Sequence, residues 1–215
     1  MTAAARFRPR RSCLYVPGAN ARALEKAQSL PADVLVLDLE DAVAPDAKAD
    51  AREAILDAVG EKAYGAREVV IRINALDTEW GQDDLEMAAS AGVDAVLVPK
   101  VTSGKDVRAV NRFLDDAGAS PDLGLWVMIE MPLASLNIKK IAKASAKTRL
   151  AGFVMGTNDL AKEYNAVATP DRRAFMYSLS AALVAARAYR LLAIDGVYND
   201  TGNAAGLSAE CEQGR

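Results

Sequence analysis

The 215-residue chain sets 26 Lys and Arg against 29 Asp and Glu, and has two cysteines and no histidine. A hydrophobic content of 51% marks an ordinary globular protein with a sizeable core, and a net charge of −3 argues against non-specific nucleic-acid binding. Without His, and with Cys13 and Cys211 at opposite ends, disulfide scaffolds, zinc sites and Ser-His-Asp or Cys-His catalysis are excluded within these residues, so acid–base or metal chemistry must come from carboxylates, Lys, Tyr or Arg.

The chain opens on a basic stretch with Arg6, Arg8, Arg10 and Arg11. Pro17, Gly18 and Asn20 interrupt it before the apolar segment of a signal peptide could form, so the stretch reads as a solvated arm on a cytoplasmic protein. No later apolar run approaches the length of a bilayer span, and no membrane partner is expected. Short apolar runs then alternate with Ala-rich, charge-dotted segments at helical spacing. The runs 12–16, 33–37, 68–73, 94–98, 123–129, 152–155 and 191–194 read as strands, most of them continuous Val/Ile/Leu as expected for parallel strands buried on both faces. Helices are expected over 21–30, 48–59, 82–91, 104–117, 135–144 and 171–188, with Pro31, Gly60, Gly65, Gly92 and Gly118 punctuating their ends. No linker or composition shift divides the chain, so residues 1–215 read as one domain.

A β-α repeat of this kind makes either a doubly wound sheet or a (β/α)₈ barrel. The segment Pro17-Gly18-Ala19-Asn20 after the first strand lacks the G-x-G-x-x-G pattern that the sheet alternative usually carries, which favours the α/β TIM barrel. Seven strands leave such a barrel open, so an eighth strand and a C-terminal lid are expected beyond Arg215.

Barrel chemistry sits where strands end. Those ends carry Asp38, Glu40 and Asp41, then Arg72 and Asn74, Lys100, Glu130, Asp159 and Asp195, which the fold should bring to one rim. Bland readings stand beside these: Asp33 as a loop residue, Asp38 and Asp195 as caps, Lys100 as a structural partner for a carboxylate, and Arg72 as an ion-pair partner of Glu40 or Asp41. Glu130 and Asp159 are the sharpest pair, because two carboxylates at successive strand ends without His or Cys suit a hard ion that keeps several waters, magnesium first. Their alternative is a carboxyl pair sharing a proton.

The segments R-S-C-L-Y-V-P-G, L-D-L-E-D-A-V, K-A-D-A-R, R-I-N, V-P-K, I-E-M-P, G-T-N-D-L-A-K-E and D-G-V-Y-N-D, followed by G-L-S-A-E-C-E-Q-G-R, occur in that order over nearly the whole chain. This series resembles the citrate lyase beta-subunit-like branch of the HpcH/HpaI aldolase superfamily. Within the branch, D-T-E-W-G, G-T-N-D-L-A-K-E and A-E-C-E-Q-G-R look most like the malyl-CoA thioesterase and malyl-CoA lyase proteins. The resemblance implies a Mg²⁺-dependent (Mn²⁺ as substitute) carbon–carbon lyase acting on a small 3-hydroxyacyl-CoA such as malyl-CoA. Hydrolysis of the same thioester is the alternative, and an inactive metal- and CoA-binding scaffold is the alternative of another class. It also implies metal ligation by Glu130 and Asp159, keto-acid binding by Arg72, and ordering of metal-bound water by Glu40 and Asp41. Tyr15, Arg22, Lys26 and Lys48 match positions associated with the CoA ester, and homotrimers or homohexamers are expected.

Overall fold

The computed structural model describes residues 8–60 and 63–215. Strands and helices alternate as β1 (Cys13–Pro17), α1 (Ala21–Ala27), β2 (Val34–Asp38), α2 (Lys48–Gly60), β3 (Glu68–Arg72), α3 (Gly81–Ser90) and β4 (Ala95–Val98). They continue as α4 (Gly104–Asp116), β5 (Gly124–Ile129), α5 (Pro132–Lys143), β6 (Leu150–Met155), α6 (Thr157–Glu163), α7 (Met176–Tyr189), β7 (Leu192–Ile194) and α8 (Ala204–Gly214). The strands follow one another in the sheet in chain order, β1 to β7. A doubly wound sheet reverses its order at a switch point. Sequential order with helical crossovers is instead that of a (β/α)₈ barrel.

The chain groups into two compact units, one of residues 1–96 and 117–123, the other of 97–116 and 124–215. In the first unit β1 pairs β2 and β2 pairs β3, all parallel, with Pro17 opposite Asp38 and Asp38 opposite Arg72. Every residue of β2 and β3 is buried, which accounts for their unbroken Val, Ile and Leu. In the second unit β5 pairs β6 and β6 pairs β7, again parallel. Gly152 in β6 is needed there, since a Cβ would lie 2.9 Å from the Leu192 side chain.

Strand positions agree with the sequence reading to within a residue or two. Two helices escaped it. The α6 helix is short and polar and begins without a side-chain cap, and α8 buries none of its residues, so neither shows an apolar stripe. Helix α7 starts five residues later than expected, because 169–175 form turns around Arg172, which has a φ of 50°.

The basic arm stays open to solvent at Arg8 and Arg11 but is also fastened by ion pairs. Arg6 lies outside the described residues, but Arg8 pairs with Asp94 at 2.6 Å, Arg10 with Glu68 at 2.8 Å and Arg11 with Asp33 at 2.7 Å. Each acid stands just before or at the start of a strand, so the arm is strapped across the beginnings of β2, β3 and β4. No helix among the described residues is long and apolar enough to cross a membrane.

Candidate active site

The expected residues fall into one cluster in each unit. In the first unit the Asp38–Arg72 register sets a carboxylate and a guanidinium side by side at the ends of β2 and β3. Arg72 donates from Nε to Asp38 Oδ1 at 2.7 Å and from Nη2 to Asp38 Oδ2 at 2.6 Å. Its Nη1 lies 2.8 Å from Glu40 Oε2 and 3.1 Å from Asp41 Oδ2. The Tyr15 ring centre is 5.1 Å from the guanidinium carbon, within cation–π range. Burial works against the guanidinium charge, but the bonds to Asp38 outweigh it and hold the group above its ordinary pKa. One edge of the fork is therefore committed to Asp38. The corner open to competition from a substrate oxygen is Nη1, shared by buried Glu40 and exposed Asp41.

The turn bearing Glu40 and Asp41 is fastened from several sides. Asp38 accepts from the backbone N–H groups of Glu40 and Ala42 at 2.9 and 3.2 Å, the capping role considered for it. Lys48 donates from Nζ to the carbonyls of Leu39 and Glu40, both at 2.8 Å, and lies over the Trp80 ring. Asn74 donates to the Leu39 carbonyl at 2.9 Å and to Asp84 Oδ2 at 2.6 Å, while Asp84 also accepts from Arg52 at 2.9 Å. Asp84, fully buried in the first turn of α3, reads in sequence as an ordinary surface acid of a helix start and was missed. Lys48 is 5% exposed, and burial pushes its ammonium pKa down. Its donors are engaged by the Glu40 turn, unlike Arg22 and Lys26, which are exposed one turn apart on α1.

In the second unit Glu130 follows β5 and its side chain is completely buried. Its Oε1 accepts from the Lys100 backbone N–H at 2.7 Å and lies 3.4 Å from Lys100 Nζ, which also bonds Asp159. Lys100 takes the left-handed φ of 55°, a conformation that costs free energy for a non-glycine residue and recurs at functional sites. Lys100 thus has the structural ion pair considered for it. Asp159 sits in the first turn of α6 and is partly exposed. Burial pushes the Glu130 carboxyl up to about 7. Burial opposes the charge on Asp159 too, but the bond from Lys100 prevails and holds its carboxyl below the usual range.

Glu130 Oε2 is buried, and the Glu130 and Asp159 carboxyls interact side chain to side chain, which helps to raise the one and lower the other, as in the carboxyl pair considered for them. Gly156 packs directly against Glu130, since a Cβ there would lie 2.5 Å from both Oε2 and the Glu130 Cβ. No group of three or more acids or cysteines is arranged for a metal among the described residues. Magnesium does not need one, since it takes one or two carboxylates and keeps its waters. The donor set fits that ion: two adjacent carboxyls, one buried and one partly exposed, with a cation, Lys100, already drawn to both.

Asp195, weighed between a capping and a site role, is held by Arg172 Nη1 at 2.7 and 2.8 Å and accepts from the Gly196 N–H. Arg172 also donates to Gln213 at 2.6 Å, tying α8 to the turn before α7. It was missed because one arginine in D-R-R looks like surface charge.

Residues 11–215 match the HpcH/HpaI aldolase/citrate lyase family. The (3S)-malyl-CoA thioesterase of Cereibacter sphaeroides is 50% identical over 207 residues, covering 96% of this chain and 70% of the relative. Citrate lyase subunit beta of Escherichia coli is 37% identical over 208 residues, covering 94% and 68%. Among solved structures, the citrate lyase beta subunit of M. tuberculosis complexed with oxaloacetate and magnesium has a TM-score of 0.76 at 28% identity, covering 92% of this chain and 83% of that one. A Mycobacterium tuberculosis CitE structure with magnesium, acetoacetate and coenzyme A has a TM-score of 0.73 at 28% identity, covering 92% and 69%.

Proposed function

The chain belongs to the HpcH/HpaI aldolase/citrate lyase family, and we propose that it is a Mg²⁺-dependent enzyme cleaving the carbon–carbon bond of a small 3-hydroxyacyl-CoA such as malyl-CoA, giving a 2-oxo acid and an acyl-CoA. The observation that carries this reading is a pair of adjacent carboxyls, Glu130 buried and Asp159 partly exposed, both drawn to the one cation Lys100. Glu130 and Asp159 would hold the ion, in line with the magnesium in the related structures. When bound, Mg²⁺ supplies Lewis-acid stabilisation of charge developing on a substrate oxygen.

The chain's own side chains supply the rest. Arg72 Nη1 donates to a carboxylate oxygen of the keto-acid portion, with Asp38 locking the plane of its fork. Glu40 and Asp41 accept hydrogen bonds from ordered water, and Lys48 and Asn74 keep their turn in place. Arg22 and Lys26, exposed on α1, offer positive charge to the phosphates of a CoA ester, and Tyr15 lines the Arg72 guanidinium.

Hydrolysis of the same thioester is a second reading, favoured by relatives at 49–50% identity named (3S)-malyl-CoA thioesterase. Incubation with malyl-CoA, citramalyl-CoA and citryl-CoA in the presence of Mg²⁺ separates the two. Glyoxylate from malyl-CoA supports the lyase, and free malate without glyoxylate supports the thioesterase. Turnover of none of the three by metal-loaded protein refutes both and leaves a binding scaffold.

A further inference from the structure

Helix α6 carries Asp159 in its first turn, yet little within the helix fixes that turn. It has seven residues, follows β6 directly and begins without a side-chain cap. A helix this short does not hold its shape alone in water, so its first turn takes its position from what packs on it. Part of that packing comes from residues 195–200, the irregular segment D-G-V-Y-N-D after β7.

Asn158 and Asn199, 41 positions apart, exchange amide hydrogen bonds. Asn199 Nδ2 donates to Asn158 Oδ1 at 2.8 Å, and Asn158 Nδ2 donates to Asn199 Oδ1 at 3.3 Å. Gly196 lies against Thr157, where a Cβ would stand 2.6 Å from Thr157 Cγ2. The segment is itself anchored at both ends. Buried Arg172 donates to both oxygens of Asp195 at 2.7 and 2.8 Å, and the Tyr198 hydroxyl is set against Gly206 in the first turn of α8.

Thr157, Asn158 and Asp159 are consecutive, so the segment touches both residues that precede the acid. A reciprocal amide pair resists rotation of the turn in a way that one hydrogen bond cannot. Both asparagines are exposed, and an exposed hydrogen bond largely replaces one to water, so the pair adds little to folding. What it supplies is geometry.

We propose that Asn158, Asn199 and Gly196 are positioning residues for Asp159: the segment after β7 sets the angle at which that carboxylate meets Glu130, and with it the affinity for a divalent cation. This rests on the reading of Glu130 and Asp159 as the ligands. Magnesium demands near-octahedral geometry, which makes it sensitive to a misdirected carboxylate. Groups that orient a metal ligand typically change affinity by about 10–100-fold when removed.

Calorimetric Mg²⁺ titration of the full chain, beside urea unfolding, tests it. Asn158→Ala and Asn199→Ala should each weaken Mg²⁺ binding by roughly ten-fold, with unfolding midpoints close to that of the wild type. The double variant should bind no more weakly than either single one, because each already breaks the same pair. Gly196→Ala, which pushes Thr157 aside, should weaken binding as well. With Mn²⁺ as the probe, the paramagnetic resonance lines of the bound ion should broaden in Asn199→Ala, since an unfixed Asp159 samples several geometries. Wild-type Mg²⁺ affinity in folded Asn158→Ala and Asn199→Ala overturns the proposal and leaves the ligand assignment standing. So do additive losses in the double variant, or an unfolding midpoint that falls in step with affinity. A wild type that binds no Mg²⁺ overturns the ligand assignment and the proposal together.

Discussion

At the scale of single residues, Arg72 and Glu130 face opposite problems. Arg72 is a buried cation satisfied by Asp38, Glu40 and Asp41, whereas Glu130 is a buried carboxyl set against a second acid, Asp159. Removing one partner of a buried ion pair leaves the other charge uncompensated, a loss of about 3–5 kcal/mol. Arg72→Met should therefore lower the urea unfolding free energy by about that amount. Arg72→Lys should recover part of it, because a lysine keeps the charge but cannot engage Asp38 with two nitrogens. Gly156→Ala should cost about 1–3 kcal/mol through overpacking against Glu130, read in the same unfolding experiment. Glu130, Asp159 and Arg72 were legible in the sequence because each stands at or just past the end of an apolar strand. Asp84 and Arg172 were not, because their partners, Asn74 with Arg52 and Asp195 with Gln213, come from distant segments that only the folded chain brings near.

At the scale of elements, α4 begins with a reciprocal cap. Asp106 accepts from the N–H groups of Thr102 and Ser103, both at 2.9 Å, while its own N–H reaches Ser103 Oγ at 3.4 Å. Burial works against the Asp106 charge, but the Thr102 and Ser103 bonds outweigh it and hold the carboxyl below its usual pKa. A depressed folded-state pKa contributes stability that is present above the unfolded value and lost as pH falls through the folded one. Asp106→Asn should thus destabilise the chain by about 1 kcal/mol near neutral pH. The difference from wild type should shrink below the ordinary carboxyl range, as measured by denaturant titration at several pH values. The T-S-G-K-D segment is readable as such a start, and α4 begins where expected. The α6 start, G-T-N-D-L, gives no such signal: it has no side-chain cap and follows its strand without a break. Asp159 was therefore read only as lying just past the strand end, with no helix under it.

Across the whole molecule, strand order agrees with the barrel that the sequence favoured over a doubly wound sheet. Alternation of apolar runs and helical segments was visible in the residues, but adjacency of strands is a long-range property. The strapped arm has the same cause, since its arginines find their acids 22 to 86 positions away. Stability is not spread evenly. Strands β2 and β3 are wholly buried, whereas β7 is half-exposed and α8 buries no residue. Amide exchange should therefore be slowest in β2 and β3 and fastest in α8. Arg172→Gln should speed it further over 204–214 while β5 and β6 keep their protection. Unchanged exchange in α8 would show that Arg172 does not hold it.

The claim on which the enzymatic account rests is that Glu130 and Asp159 hold a divalent cation. Calorimetric titration of the full chain with Mg²⁺ tests it most directly, comparing wild type with folded Glu130→Gln and Asp159→Asn. The account predicts one saturable site in the wild type and a marked loss of affinity in both variants. Equal Mg²⁺ binding by all three proteins, or none by the wild type, would contradict it.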